Sequence, residues 1–393
     1  MWRLKVYMDH GAGMPLDSRV FEAMKPYFME NYGNPSSSHS FGNSARNAIA
    51  VSREKVAQLV AAEKSQEVIF TSGGTESNNL AIKGVAYRNR EKGNHIITTA
   101  IEHISVMNIC KFLQKQGFEV TYVPVDKQGV VDLEKLEAAI NDRTILISVM
   151  YANGEIGTIQ PISEIGKVAH ENQVIFHVDA VAAAGKVPIN VEEKNIDLLS
   201  ISSNDMYGPK GVGALYIKKG TKVQPIIQGG GQERGLRSGT ENVPGIVGMG
   251  KAAEIAKREM EAEGERLTRL RDKLIKGVLD KIDYSFLNGH PTERLPSNAN
   301  LRFSYIEGES LILGLDMYGV QVSSGSACTS KTLEPSHVLL AIGLAHEEAH
   351  GSLVFTMGKQ NSEEDVDYVL EVLPDVVKRL RALSPLTPKE IVR

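Results

Sequence analysis

Residues Ser323-Ser-Gly-Ser-Ala-Cys-Thr-Ser330 set a cysteine among small polar side chains. A structural cysteine usually lies in an apolar run, as Cys110 does in Asn-Ile-Cys-Lys-Phe-Leu. Cys328 is instead in the setting of an exposed, reactive thiol on a loop. No second cysteine is near it, so the motif is not a zinc site. A second segment, Thr71-Ser-Gly-Gly-Thr-Glu76, joins a strand pattern to a helix pattern. Its glycines, Gly74 among them, turn backbone N–H groups outward at a helix N-terminus, which makes an anion site. The competing reading is an ordinary capped turn with Thr75 as N-cap. No G-x-G-x-x-G is present, so a dinucleotide fingerprint is excluded here.

Three more segments carry chemistry-bearing residues. His177-Val-Asp-Ala180 ends an apolar strand, and an acidic residue there points into a ligand crevice or caps the next helix. Asp179 in the crevice would pair with a protonated ring nitrogen. Glu102-His103 closes another strand, with His103 either structural or an acid–base group lining a cleft. Gln228 to Thr240 is Gly-rich and offers Arg234, Arg237, Ser238 and Thr240 as phosphate-compatible donors, or is a flexible loop with solvated arginines.

These segments need a scaffold, and the pattern predicts one. Val/Ile-rich runs at 68–71, 95–99, 120–125, 144–150, 174–178, 198–201 and 213–217 read as strands. Amphipathic stretches such as 76–87 and 104–116 lie between the early ones. Continuous apolar strands separated by helices predict an α/β fold with a mostly parallel sheet covered on both faces. Residues 221–250 read as loop plus a short helix, and a long charged helix is expected from Lys251 to about Ile282. Beyond it the order is strand (298–305), helix (310–317), the cysteine loop, helix (337–342), strand (353–356) and helix (363–380). A large domain at 16–250 and a smaller α+β unit at 1–15 and 251–393 are expected.

The 393 residues are 42% apolar and 23% charged, which excludes a disordered chain or a coiled-coil array. A net charge of −4, from 44 basic and 48 acidic residues, gives no reason to expect nucleic acid or a membrane surface as partner. Two cysteines cannot form a disulfide framework, which points to a reducing compartment. The absence of a long apolar run or leader predicts a cytoplasmic protein.

Taken in order, the motifs resemble the cysteine desulfurases of the NifS/IscS group, pyridoxal phosphate (PLP) enzymes of the class V aminotransferase fold. The resemblance spans nearly the whole chain. It rests on Tyr32-Gly-Asn-Pro-Ser-Ser37 with His39, the 71–80 turn, Glu102-His103, Asn153-Gly-Glu-Ile-Gly157, His177-Val-Asp-Ala180, Tyr207-Gly-Pro-Lys-Gly211, the 237–240 loop and the cysteine loop. It implies a PLP-dependent transferase fold of the aspartate aminotransferase type. It implies that Gly74, Thr75, Ser202 and Thr240 hold the cofactor phosphate, with Thr240 lent by the second subunit of a homodimer. His103 would stack on the ring, Asp179 would meet its nitrogen, and Asn153 would touch ring or substrate. Cys328 would take substrate sulfur as a persulfide and pass it to an iron–sulfur scaffold (IscU-like).

The departures from the family pattern are equally specific. The family run Ser-x-His-Lys, whose Lys forms the Schiff base, is Ser202-Ser-Asn-Asp205 here. The Gln that follows the ring-binding Asp is Ala182, and the Arg that clamps the substrate carboxylate is Val354. The N-terminal Ala-Thr-Thr-Pro pattern is Ala12-Gly-Met-Pro15. Lys210 lies five residues past the required position in a segment the family shares, and is not expected to substitute. The first expectation is therefore a desulfurase-family protein of iron–sulfur cluster assembly. In it Cys328 carries persulfide sulfur, or ligates metal in a [2Fe-2S] cluster shared with the scaffold, and PLP is weakly held or absent. The alternative is an active PLP-dependent desulfurase with non-covalently held PLP, where Asp205 becomes the candidate base.

Overall fold

Continuous burial along short strands organises the chain. The computed structural model describes residues 5–325 and 335–390. A short strand β1 (Val6–Tyr7) is followed by helices α1 (Ser18–Met24), α2 (Pro26–Met29) and α3 (Ser40–Leu59). The large sheet then forms from β2 (Val68–Thr71), β3 (His95–Thr99), β4 (Glu119–Val123), β5 (Thr144–Met150), β6 (Ile175–Asp179), β7 (Leu198–Ser202) and β8 (Gly213–Ile217). Helices α4 (Gly74–Arg88), α5 (Ile104–Gln114), α6 (Leu133–Ala138) and α7 (Ile162–Glu171) connect its strands.

The sheet order is β2-β8-β7-β6-β5-β3-β4. Successive side chains of a strand face opposite ways, so a sheet covered on both faces buries every position. Val68 and Phe70 join one hydrophobic cluster and Ile69 another; Ile147 and Leu146, Leu199 and Leu198, and Tyr216 and Leu215 divide in the same way. Each such side chain contributes roughly 1.5–3 kcal/mol on burial. Cys110 is fully buried in the second cluster, and burial pushes its thiol up to about 12.

The mostly parallel reading holds for β4, β3, β5, β6 and β7, but β8 runs antiparallel to both β7 and β2. The connection 203–212 contains no crossover helix, and a parallel return needs a dozen or more residues. The parallel strands, and β2 with them, end on one side of the sheet, where α/β folds open their ligand crevice.

The helix expected from Lys251 instead begins at Val243: α8 (Val243–Lys281) absorbs the end of the Gly-rich segment read as loop plus a short helix. Asn242 caps it by accepting from the Gly245 N–H at 3.1 Å. Its glycines serve close packing, since a Cβ at Gly248 would meet Met24 and Pro209, and one at Gly250 would meet Ser52. The first part of α8 packs into the core of the large sheet, up to Ala256. From Leu267 it packs into a separate core with β9 (Ser285–Asn288), β10 (Asn298–Phe303), α9 (Gly308–Asp316), β11 (Val320–Gln321), β12 (Ser352–Thr356) and α12 (Glu363–Leu383), while α10 (His337–Ala341) and α11 (His346–His350) cluster with Ile101, Met150 and Ile156. Val6 and Met8 belong to that second core, because β1 pairs with β11. The boundary expected at residue 250 thus falls inside one continuous helix. Among the described residues no helix is long and apolar enough to cross a membrane.

Candidate active site

The loops that follow β2, β3, β5, β6 and β7 converge on one cavity of about 510 Å³. Gly74, Thr75, His103, Asn153, Asp179, Ser202 and Asp205 all line it. Thr240 does not; it is exposed on its loop. Cys328 lies outside the described residues, but Ser323, Gly325 and Ser336 on either side of it line the same cavity.

The phosphate-type end is built by backbone geometry. Gly73 has φ 150°, a conformation open essentially to glycine alone, and it turns β2 into α4. Gly73 therefore takes the N-cap position expected of Thr75, and Thr75 lies in the first helical turn. The first N–H groups of a helix lack intrahelical partners and carry partial positive charge. Ser202, at the end of β7, lines the cavity with this turn, and its hydroxyl hydrogen-bonds the Asp205 carboxyl.

Asp179 is held rigidly. Asn78 Nδ2 donates to its Oδ2 at 2.7 Å and the Val181 N–H to its Oδ1 at 3.0 Å. Burial raises its proton affinity, opposed by His103. Asn78 is four residues beyond Gly74 and its role is invisible in the pattern. His103 caps α5: its Nδ1 accepts from the Ser105 N–H at 3.2 Å and lies 2.8 Å from the Ser105 hydroxyl, leaving the ring exposed toward the cavity.

Asn153 has a structural task. Its amide nitrogen donates to the Ile101 carbonyl at 2.9 Å, and its oxygen accepts from the Glu155 and Ile156 N–H groups at 2.9 Å. Arg294 and Asn298 bind carbonyls of 154–156 from the second core and fix this turn. The turn delivers Glu155, whose Oε2 accepts from Ser336 Oγ at 2.8 Å. Gly325, at φ 77°, sits so close that a Cβ would meet Glu155 Cγ at 2.7 Å. Burial raises the Glu155 carboxyl to about 7, and this one side chain lies against Gly325 on one side of the cysteine segment and bonds Ser336 on the other.

The arginine-rich loop is committed elsewhere. Arg237 Nε pairs with Glu76 at 2.9 Å, Ser238 donates to the Gly230 carbonyl, and Glu233 binds Arg53. Arg234 and Arg237 do not line the cavity. Lys210 is turned away too, with Nζ on the Met14 carbonyl at 3.3 Å. Among the described residues no cluster of three His, Cys, Asp or Glu could hold a metal ion.

Glu102 closes the floor. Its Oε1 accepts from Thr99 Oγ1 at 2.7 Å and the Met150 N–H at 3.0 Å, while Oε2 has no partner among the described residues. Burial raises its carboxyl to about 8, against 4.5 ordinarily. Between those values the unfolded chain releases a proton that the folded chain retains, so this contribution favours folding least at high pH. We expect Glu102→Gln to remove a stability loss incurred by the native protein between about pH 5 and 8. Thermal unfolding of both proteins across that window checks it: the gap in Tm should move in the variant's favour as pH rises, and a pH-independent gap would contradict it.

Residues 6–369 match the aminotransferase class-V family model. The chain is 58% identical over 380 residues to cysteine desulfurase IscS 1 of Archaeoglobus fulgidus, covering 97% of this chain and 99% of that one. It is also 58% identical to cysteine desulfurase IscS of Methanosarcina thermophila, over 98% of this chain and 95% of that one. The chain belongs to the cysteine desulfurase family of class-V aminotransferases. Its fold matches a solved NifS-like protein with a TM-score of 0.90 at 40% identity, over 96% of this chain and 100% of that chain. A NifS-like protein from Rickettsia africae matches at 0.85 and 31%, over 95% and 99%.

The cofactor of this family is PLP. The donor set fits such a group. A helix N-terminus and a hydroxyl suit a phosphate, an exposed imidazole suits a ring face, and a fixed carboxylate suits a ring N–H. Four residues lining the cavity, Asn78, Glu102, Glu155 and Asn204, each carry a buried side-chain oxygen with no partner among the described residues. An unpaired buried oxygen costs roughly 1–3 kcal/mol, so four around one cavity mark a site built for a polar ligand.

Proposed function

We propose that this chain is a PLP-dependent cysteine desulfurase of iron–sulfur cluster assembly. The supporting observation is the convergence of the Gly74–Thr75 helix N-terminus, Ser202, His103 and Asp179 on one cavity. The desulfurase names of relatives at 58% identity favour this second sequence reading over the first. When bound, PLP supplies an electron sink for the substrate α-carbon. Gly74, Thr75 and Ser202 bind its phosphate, His103 covers its ring, and Asp179 keeps the ring nitrogen protonated. The Cys328 thiolate attacks the sulfur of L-cysteine: an S–S bond forms, the C–S bond breaks, and the carbon keeps the electron pair and takes up a proton. The products are L-alanine and a Cys328 persulfide, which an IscU-like scaffold receives. Thr240, exposed and off the cavity of its own chain, would reach the phosphate of a second copy in a homodimer.

A second reading has its own support. Asp205, Asn204, Ala182 and Val354 stand where the family pattern has Lys, His, Gln and Arg, and all four line this cavity. On that reading Cys328 serves the scaffold as a [2Fe-2S] ligand with sulfur arriving as sulfide, or as a persulfide carrier with sulfane sulfur handed on by a donor persulfide. The test is sulfide and alanine release from L-cysteine by the purified protein with added PLP and a thiol reductant. Equimolar release is expected; none at saturating PLP would leave only the second reading.

A further inference from the structure

Asp205 places a carboxyl where the desulfurase pattern has an amine, yet the cavity does contain an amine. Lys186, on the turn after β6, is the only lysine or arginine among its described lining residues. Its Nζ donates to the Ala182 carbonyl at 3.1 Å, and among the described residues it closes no ion pair within 4.0 Å. It nonetheless lies within electrostatic reach of Asp205 on one side and His10 on the other. Lys186 and Asp205 also line a second cavity, of about 40 Å³, beside Met14, Met206 and Met357. The pair therefore borders both spaces.

We propose that Lys186 is the relocated amine of this site, condensing with the aldehyde of PLP seated in the cavity while Asp205 carries its proton. The proposal rests on the reading that the cavity seats PLP. Asp205 accepts one proton from the ammonium, and the free amine adds to the carbonyl carbon. The carbonyl oxygen leaves as water with two protons drawn from the original ammonium. The third proton stays on nitrogen in the new carbon–nitrogen double bond, and no electrons are gained or lost. The electrostatics favour this exchange. Burial lowers the proton affinity of Lys186 and raises that of Asp205, while the attraction between them opposes both shifts. Desolvation of this kind is how lysines become nucleophilic near neutral pH. Asp205 is then a positioning and proton-holding partner that a neutral residue would not replace.

The experiment is borohydride reduction of the full-length protein incubated with PLP, followed by digestion and mass spectrometry. It is paired with a binding titration of 4-deoxypyridoxine 5′-phosphate, which lacks the aldehyde. The pyridoxyl label is expected on the segment containing Lys186 and should fall more than about tenfold in Lys186→Arg, which keeps the charge beside Asp205 but does not condense. The aldehyde-free analogue should bind the native protein and Lys186→Arg about equally. Analogue binding with the label absent, on another lysine, or undiminished in Lys186→Arg overturns the proposal and leaves the cofactor reading standing. Failure of both compounds to bind the native protein overturns the two together.

Discussion

Sulfide release from L-cysteine is expected to fall at least about a hundredfold in Cys328→Ala, because removing the nucleophile removes the step that breaks the C–S bond. Cys110 is no substitute. It is buried among apolar side chains and does not line the cavity, and its thiol is pushed up to about 12. A thiol that does not ionise near neutrality neither attacks nor ligates. Binding of PLP to Cys328→Ala should be unchanged, since the residues proposed to hold it lie on other loops. The check is the rate of sulfide formation at saturating PLP, read beside a PLP titration of both proteins. Retention of most of the native rate would remove Cys328 from the mechanism.

Asp205→Lys combined with Asn204→His is expected to deepen the colour of the protein with PLP beyond that of the native protein and to raise sulfide release at least about tenfold. Three physical effects act together. The substitution removes a buried carboxyl that shares the cavity with Asp179 and a phosphate, and like charges repel strongly at low dielectric. It introduces an amine beside Lys186, and the repulsion between two buried ammonium groups favours the neutral, nucleophilic form of each. It also replaces Asn204, whose buried side-chain oxygen has no partner among the described residues. Borohydride reduction should then place label on the segment spanning residue 205. A variant that folds normally, binds PLP and carries no label at residue 205 would mean that residue 205 does not face the cofactor.

Much of the scaffold was legible in local pattern. The strands at 68–71, 95–99, 144–150 and 213–217 match the observed limits, because both faces of each are buried and continuous apolar runs mark their ends. The direction of β8 was not legible, since periodicity reports burial but not pairing. The start of α8 was missed for a related reason. Glycine in sequence argues against helix, whereas Gly248 and Gly250 are there because Met24, Pro209 and Ser52 approach too closely for a side chain.

For the site, the division follows sequence separation. The chain alone determined the family and the candidacy of Cys328, Asp179, His103, Ser202 and the 71–76 turn, because each is announced by its immediate neighbours. Tertiary structure decided which polar groups are free. It committed Arg237 to Glu76 and the Asn153 amide to a turn, and it placed Glu155 between Gly325 and Ser336. It also brought Lys186 into the cavity of Asp205, nineteen positions later in the chain. Whether a charged side chain is solvated, paired or poised depends on what packing places beside it, and that neighbour is set by the sheet rather than by the residues on either side.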